Sequence, residues 1–181
     1  MMKKYMWLMM LLPMGVASPS WASQMNLDPY FALGVSGLQA DLAGSKATTP
    51  AFHFTAGSTL NWISPQLGAE VRLGFGGQLS TFSGSINGYT AYLLKPSMAI
   101  TRYFDVYALL GFSTISMDIA GVSYADTSPS YGLGLSYHVP NESFVFNTEL
   151  MQYRKKTDQS TTNISGVSIY GISASFEFYY Y

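Results

Sequence analysis

The nine residues Leu67–Phe75, with the sequence LGAEVRLGF, alternate between apolar positions and positions that are charged or glycine. Successive side chains of a β-strand point to opposite faces. One face of this strand is therefore apolar (Leu67, Ala69, Val71, Leu73, Phe75), and the other holds two charges between glycines (Gly68, Glu70, Arg72, Gly74). A soluble sandwich and a membrane barrel both contain such strands, and they differ in which face meets water.

The same alternation recurs about eight times, with large apolar and aromatic residues at every second position. The predicted strands lie near 30–38, 52–62, 67–75, 91–100, 106–112, 131–139, 144–153 and 170–178. The connections alternate in length. Long polar segments are predicted at 39–50, 78–87, 116–130 and 154–165, and short turns at 64–65, 101–103 and 140–143. Short turns at one end and longer loops at the other are typical of outer-membrane barrels.

Residues 1–23 form a separate segment, which predicts a secretory signal peptide cut after Ala22 or Ser23. Lys3 and Lys4 precede a short apolar run that Pro13 interrupts, and small residues follow. A membrane anchor is the alternative, but the run is too short to span a bilayer. Residues 24–181 are expected to form one barrel domain without a transmembrane helix.

Composition excludes several function classes. Charged residues make up 10% and aromatic residues 15% of the chain, against roughly 25% charged in soluble domains. Loss of Lys3 and Lys4 leaves seven basic against ten acidic residues, so nucleic acid is not an expected partner. The chain has no cysteine, which excludes disulfides, thiol catalysis and cysteine metal sites.

Together these patterns predict an all-β fold, an eight-stranded up-and-down antiparallel transmembrane β-barrel with its apolar face outward. A soluble barrel of the lipocalin type, with the faces reversed, is the alternative.

The predicted inner face carries four charges from three strands, Glu70, Arg72, Lys95 and Glu149. The interior of an eight-stranded barrel is filled by side chains, and buried charges must be paired. We therefore predict a structural network of these four residues in the lumen. An ion path gated by the same pairs is the alternative.

The sequence has two histidines that could serve a catalytic or metal site, His53 and His138. His53 lies on the inner register near the outer end of its strand, and serines are plentiful, so a lipid-modifying acyltransferase or hydrolase at the outer rim is the alternative function. No Gly-x-Ser-x-Gly elbow occurs, and His138 lies at the opposite end. The two histidines and scattered carboxylates form no ligand cluster. The predictions are therefore no catalytic residue, no cofactor and no metal.

Several strands resemble the OmpA/OmpX-type outer-membrane β-barrel family over essentially the whole chain after the leader. The resemblance lies in GAEVRLGF (68–75), YLLK (92–95), VYALLG (106–111), YGLGLSY (131–137) and the glycine-then-aromatic end. It implies a Gram-negative outer-membrane location, with membrane lipid and lipopolysaccharide as surroundings. It also implies that the barrel assembly machinery reads the last strand, here Gly171, Phe176, Phe178 and Tyr180. The tail 179–181 extends beyond the usual final phenylalanine.

The resemblance further implies a porin-like, non-enzymatic protein of the cell surface. Its role would be structural, or an adhesin-like interaction with host or surface ligands through the extracellular loops.

Overall fold

The computed structural model describes residues 27–42, 45–81, 83–119, 121–140, 142–154 and 167–179. The predicted signal peptide, the tail residues Tyr180 and Tyr181 and nearly all of the predicted loop 154–165 lie outside these residues. Within the described part, no helix is long and apolar enough to cross a membrane.

Eight antiparallel strands form one closed barrel in which every strand pairs with its neighbours in sequence and β1 pairs with β8. The predicted fold class is confirmed. The strands are β1 (Leu27–Leu42), β2 (Ser45–Leu60), β3 (Leu67–Phe75), β4 (Gly84–Ala99), β5 (Phe104–Ile119), β6 (Val122–His138), β7 (Phe144–Arg154) and β8 (Val167–Tyr179).

The predicted orientation of the two faces is also confirmed. Phe52 is 65% exposed and Leu133 64% exposed on the outside, whereas Glu70 and Arg72 are only 5% and 2% exposed inside the barrel. A lipocalin-like barrel would place these residues the other way round, so that alternative is wrong for this part of the chain.

The strand lengths correct the sequence analysis. The predicted ranges have 7 to 11 residues each, but β1, β2, β4 and β5 each have 16 residues and β6 has 17. Most of the predicted loops 39–50 and 116–130, and the last four residues of 78–87, are therefore strand. Only residues 120–121 separate β5 from β6, and Gly121 has a φ of 81°, a conformation that glycine adopts without a steric penalty.

The longer strands were missed because their alternation reverses phase. On β5 the apolar residues Val106, Leu110 and Phe112 point outward, but after Ser113 the apolar residues Ile115 and Met117 point inward. A pattern search that follows one face reads this reversal as the end of the strand. The outward residues beyond Phe112 are polar.

The reversal divides the barrel into two levels. The ladder between β2 and β3 ends at the Phe52–Phe75 pair, and the ladder between β6 and β7 ends at the Tyr131–Gln152 pair. Beyond these pairs the strands continue as two three-stranded sheets, β8–β1–β2 and β4–β5–β6. We call this part the extension; it comprises 37–42, 45–51, 84–90, 113–119, 122–130 and 167–169.

An apolar core fills the space between the two sheets of the extension. It includes Leu38, Ala40, Ala47, Ile86, Ile115, Met117, Val167 and Ile169, with Leu79 from the β3–β4 connection. At about 3.3 Å per residue and a tilt of about 40°, β5 rises roughly 15–20 Å beyond Phe112. The opposite end of the barrel has short turns at 61–66, 100–103 and 139–143, and we call it the turn end.

Candidate functional site

Arg72 holds the centre of the lumen. Its Nη1 lies 2.5 Å from Oε2 of Glu149, and its Nη2 lies 2.5 Å from Oε1 of Glu70 and 3.0 Å from Oε1 of Glu149. All three side chains are almost fully buried. The inward registers of β3 and β7 thus bring three of the four predicted network residues into one ion-paired group.

Lys95, the fourth predicted residue, makes its ion pair with a residue that the sequence analysis left out of the network. Its Nζ lies 2.6 Å from Oε2 of Glu177, and the Asn147 amide donates to the same oxygen at 3.0 Å. The Lys95 ammonium also lies 5.0 Å and 4.7 Å from the ring centroids of Tyr30 and Tyr107, within cation–π range. Glu177 occupies the predicted inward register of β8, so a sequence signal for it existed.

Tyrosine hydroxyls supply further hydrogen bonds to the carboxylates, and Ser173 Oγ also donates to Glu149 Oε2 at 3.0 Å. Tyr30 donates to Glu70 at 3.0 Å, and Tyr107 donates to Glu149 at 2.8 Å. Both rings lie against glycines of neighbouring strands, Gly57 and Gly134, where a Cβ atom would overlap the ring. Glycine at these positions therefore makes room for the ring that anchors the network.

His53 and Ser36 are the described residues that come nearest to a serine–histidine arrangement. His53 Nδ1 lies 3.0 Å from Ser36 Oγ, and the two residues are 2% and 6% exposed. No hydrogen-bond partner for His53 Nε2 is found within the described part of the chain. The pair faces the lumen and not the lipid, so it lacks the access that chemistry on a membrane lipid requires.

The second histidine lies at the turn end. His138 Nε2 is 2.7 Å from Asp105 Oδ2, and both side chains are partly exposed. Among the described residues, no three His, Asp or Glu side chains come together as metal ligands.

Aromatic side chains cluster on the outside where the first and last strands meet. Phe178 stacks on Phe31, with ring centroids 5.2 Å apart, and packs against Phe144 at 6.2 Å. Phe176 contacts Phe144 and also Phe146, at 6.0 Å and 5.3 Å. The cluster lies at the turn end and contains two of the four predicted assembly residues.

The other two assembly residues lie elsewhere. Gly171 faces inward beneath the Tyr153 ring, and Tyr180 is outside the described residues.

Solved structures with the same architecture were found at low sequence identity. Neisserial surface protein A has a TM-score of 0.61 at 16% identity, over 83% of this chain and 96% of that one. Ail, the attachment invasion locus protein of Yersinia pestis, solved with the heparin analogue sucrose octasulfate, has a TM-score of 0.59 at 16% identity, over 85% and 99%. At these identities the similarity establishes the fold alone.

No curated protein matches the sequence. The family described as outer membrane protein beta-barrel domain matches residues 8–178, which is nearly the whole chain and covers all eight strands except the last residue of β8. The sequence resemblance is thereby confirmed, and the chain belongs to this family of bacterial outer-membrane β-barrels.

Proposed function

We propose that this protein is a non-enzymatic surface-interaction protein whose binding activity lies in the segments that the barrel carries on its extension. The barrel itself is the scaffold, and the ion-paired residues in its lumen are structural. In outer-membrane barrels the short turns are periplasmic, so the extension faces the outside of the cell.

The filled interior is the observation that carries the proposal. The Arg72 and Lys95 ion pairs occupy the membrane level, and an apolar core occupies the level of the extension. An eight-stranded barrel has just enough interior for its side chains. Through the described residues a transported solute therefore has no free path, which leaves the outer surface for interactions.

The names of the similar structures point in the same direction. One is a surface protein, and the other is an attachment protein solved with a sulfated saccharide. For this chain a sulfated ligand would need cations. Lys46 is the exposed cation in the described part of the extension, and it stands opposite Asp41 in the β1–β2 register. Lys155 and Lys156 belong to the β7–β8 connection.

The proposal also includes how the protein is exported and assembled. The leader 1–23 directs export and is removed, and the barrel assembly machinery then recognises the aromatic end of β8. Neither step requires a cofactor.

Replacement of single connections tests the proposed role. Residues 80–83 of the β3–β4 connection, which leave the core residue Leu79 in place, and the β7–β8 connection (155–166) would each be replaced by a short Gly-Ser linker in the full-length protein. Binding of cells carrying each variant to host-cell surfaces and to immobilised sucrose octasulfate would then be measured. We expect one replacement to abolish binding, while the same change in the periplasmic turn 100–103 leaves it intact.

Equal binding by all variants and by cells without the protein would contradict the proposed role. Hydrolysis or transfer of an acyl chain by the purified protein in lipid, if it were lost in His53→Ala, would instead support the enzyme alternative.

A further inference from the structure

The outer surface of the β4–β5–β6 sheet changes character between two adjacent rows of residues. Tyr92, Phe112 and Pro129 form one row across the three strands, and the next row outward is Thr90, Thr114 and Thr127. Tyr92 and Phe112 are 61% and 58% exposed and belong to the lipid-facing band. The three threonines therefore mark the level at which the sheet leaves the hydrocarbon.

Beyond the threonines the outward surface is rich in hydroxyl groups. Ser85, Asp118 and Ser123 form the outermost row. Asn87 is added at the β4 bulge between Ile86 and Gly88. We call the outward surface from the threonine row to this outermost row the hydroxyl face.

The polar groups of the hydroxyl face are held in fixed directions. Thr114 Oγ1 lies 2.8 Å from Thr127 Oγ1, and the Asn87 amide donates to Asp118 Oδ2 at 2.8 Å. Ser85 in turn donates to the Asn87 side-chain oxygen at 2.8 Å. Hydrogen bonds from Ser123 and from Asn87 hold the pKa of Asp118 below its usual value, so this carboxylate is ionised at neutral pH.

We propose that the hydroxyl face binds the saccharide part of the glycolipid that surrounds the barrel in the outer leaflet. The face is continuous with the lipid-facing band on the same three strands, so a lipid whose acyl chains cover Tyr92 and Phe112 places its head group against it. This inference rests on the outer-membrane location and not on the proposed adhesin-like role.

Charge selects the part of the glycolipid that fits. The hydroxyl face has one carboxylate and no cationic side chain among its described residues, which disfavours phosphate groups and favours neutral sugar rings. Sugar hydroxyls both donate and accept, as serine, threonine and asparagine side chains do. The opposite sheet differs, because its outward residues on β1 and β2 include Asp41 and Lys46.

The test compares two bilayers, one of lipid A alone and one of the same lipid A carrying its core oligosaccharide. Backbone amide NMR shifts of the full-length protein would be recorded in both. We expect the differences to concentrate at 114–118 and 123–127, and to be small at 39–41 and 46–48 on the opposite sheet. Equal shifts on both sheets, or none on the hydroxyl face, would overturn the proposal.

A matched pair of variants provides a second measurement. The double variant Thr114→Val with Thr127→Val removes two hydroxyls while keeping side-chain shape and β-propensity. Thr148→Val makes the same change on the lipid-facing surface of β7. We expect the wild-type protein to melt at a higher temperature in lipid A with the core oligosaccharide than in lipid A alone. This difference should fall by more than half in the double variant and persist in Thr148→Val.

An undiminished gain in the double variant would also overturn the proposal. Its outcome is separate from that of the adhesion assay, because neither bilayer contains a host ligand. Shifts on the hydroxyl face only after addition of a soluble protein would assign the face to a protein partner instead.

Discussion

Buried charge imposes the strictest conditions at the scale of single residues. Arg72 forms ion pairs with two carboxylates, Glu70 and Glu149, and Lys95 forms an ion pair with Glu177. Removal of one member of a buried pair strands its partner in a poorly solvated site, which costs about 3–5 kcal/mol, whereas removal of both members is often nearly neutral.

Lys95→Met should therefore destabilise the barrel by about 3–5 kcal/mol, as measured by urea unfolding in lipid. Addition of Glu177→Gln to Lys95→Met should recover much of this loss, because the stranded carboxylate is then neutral. Glu149→Gln is the control, since Glu149 already has Arg72 as its partner.

Two double-mutant cycles, one of Lys95 with Glu177 and one of Lys95 with Glu149, show which carboxylate is coupled to Lys95. Coupling of Lys95 to Glu149 as strong as its coupling to Glu177 would contradict the observed arrangement. Additive losses in both cycles would show that neither carboxylate depends on Lys95.

At the scale of elements, the two faces of each strand were predictable and the strand lengths were not. Strict alternation in β3 gave both its face and its bounds, because Leu67–Phe75 lies wholly within the membrane level. On β1, Leu38 and Ala40 turn inward where Phe31, Leu33 and Val35 had pointed outward. The sequence around Leu38 does not show that the apolar face switches from outside to inside while the strand continues, because this switch depends on where the bilayer ends.

The same limit applies to the candidate site. The inward registers of Glu70, Arg72, Lys95 and Glu149 followed from alternation alone. Their partners did not, because the pairing of Lys95 with Glu177 depends on barrel closure, which sets β8 beside β1 and across the lumen from β4. A strand register predicts a face, whereas a contact across the lumen also requires the stagger of all eight strands.

Charge placed on the outer face should have an effect that depends on depth. Leu73→Arg and Leu135→Arg introduce a cation at the lipid-facing surface, where the cost is about 2–4 kcal/mol near the midplane. We expect both variants to insert less stably in refolding experiments with lipid vesicles. Gln39→Arg is the matched control, since Gln39 points outward from the extension, and we expect it to insert like the wild type.

Stable insertion of both leucine variants would mean that the assigned outer face does not contact hydrocarbon.

The C-terminal strand has to close the barrel, and its two outward phenylalanines lie in the aromatic cluster with Phe31 and Phe144. An unpaired strand edge in hydrocarbon would leave several kcal/mol per backbone group unsatisfied. We therefore expect Phe176→Ala combined with Phe178→Ala to reduce assembly sharply in cells, whereas deletion of residues 179–181 leaves appreciable assembly. Assembly of each variant is measured on gels as the fraction of protein that migrates as a folded barrel before heating. Stronger loss of assembly in the deletion than in the double phenylalanine variant would place the assembly signal in the tail.

At the scale of the whole molecule, the protein combines two folding environments in one set of strands. Within the membrane the paired charges lie inside and the outward side chains are mostly apolar, whereas in the extension an apolar core lies inside and the outward side chains are mostly polar. The extension is thus stabilised by the hydrophobic effect, as a soluble β-protein is. The membrane level is held by its hydrogen-bond ladders and by packing.

The two levels should consequently respond differently to a cavity. Ile115→Ala removes a fully buried side chain from the core of the extension, a change that costs about 2–5 kcal/mol. The ladders below Phe112 remain closed in the bilayer, so the loss should be confined to the extension. Amide hydrogen exchange at 113–119 and 122–130 should accelerate by about 30-fold or more, while 106–112 stays protected. Leu110→Ala, at a lipid-facing position on the same strand, is the control and should leave exchange in the extension unchanged. Acceleration spread evenly along β5 and β6 in Ile115→Ala would show that the barrel and its extension unfold as one unit.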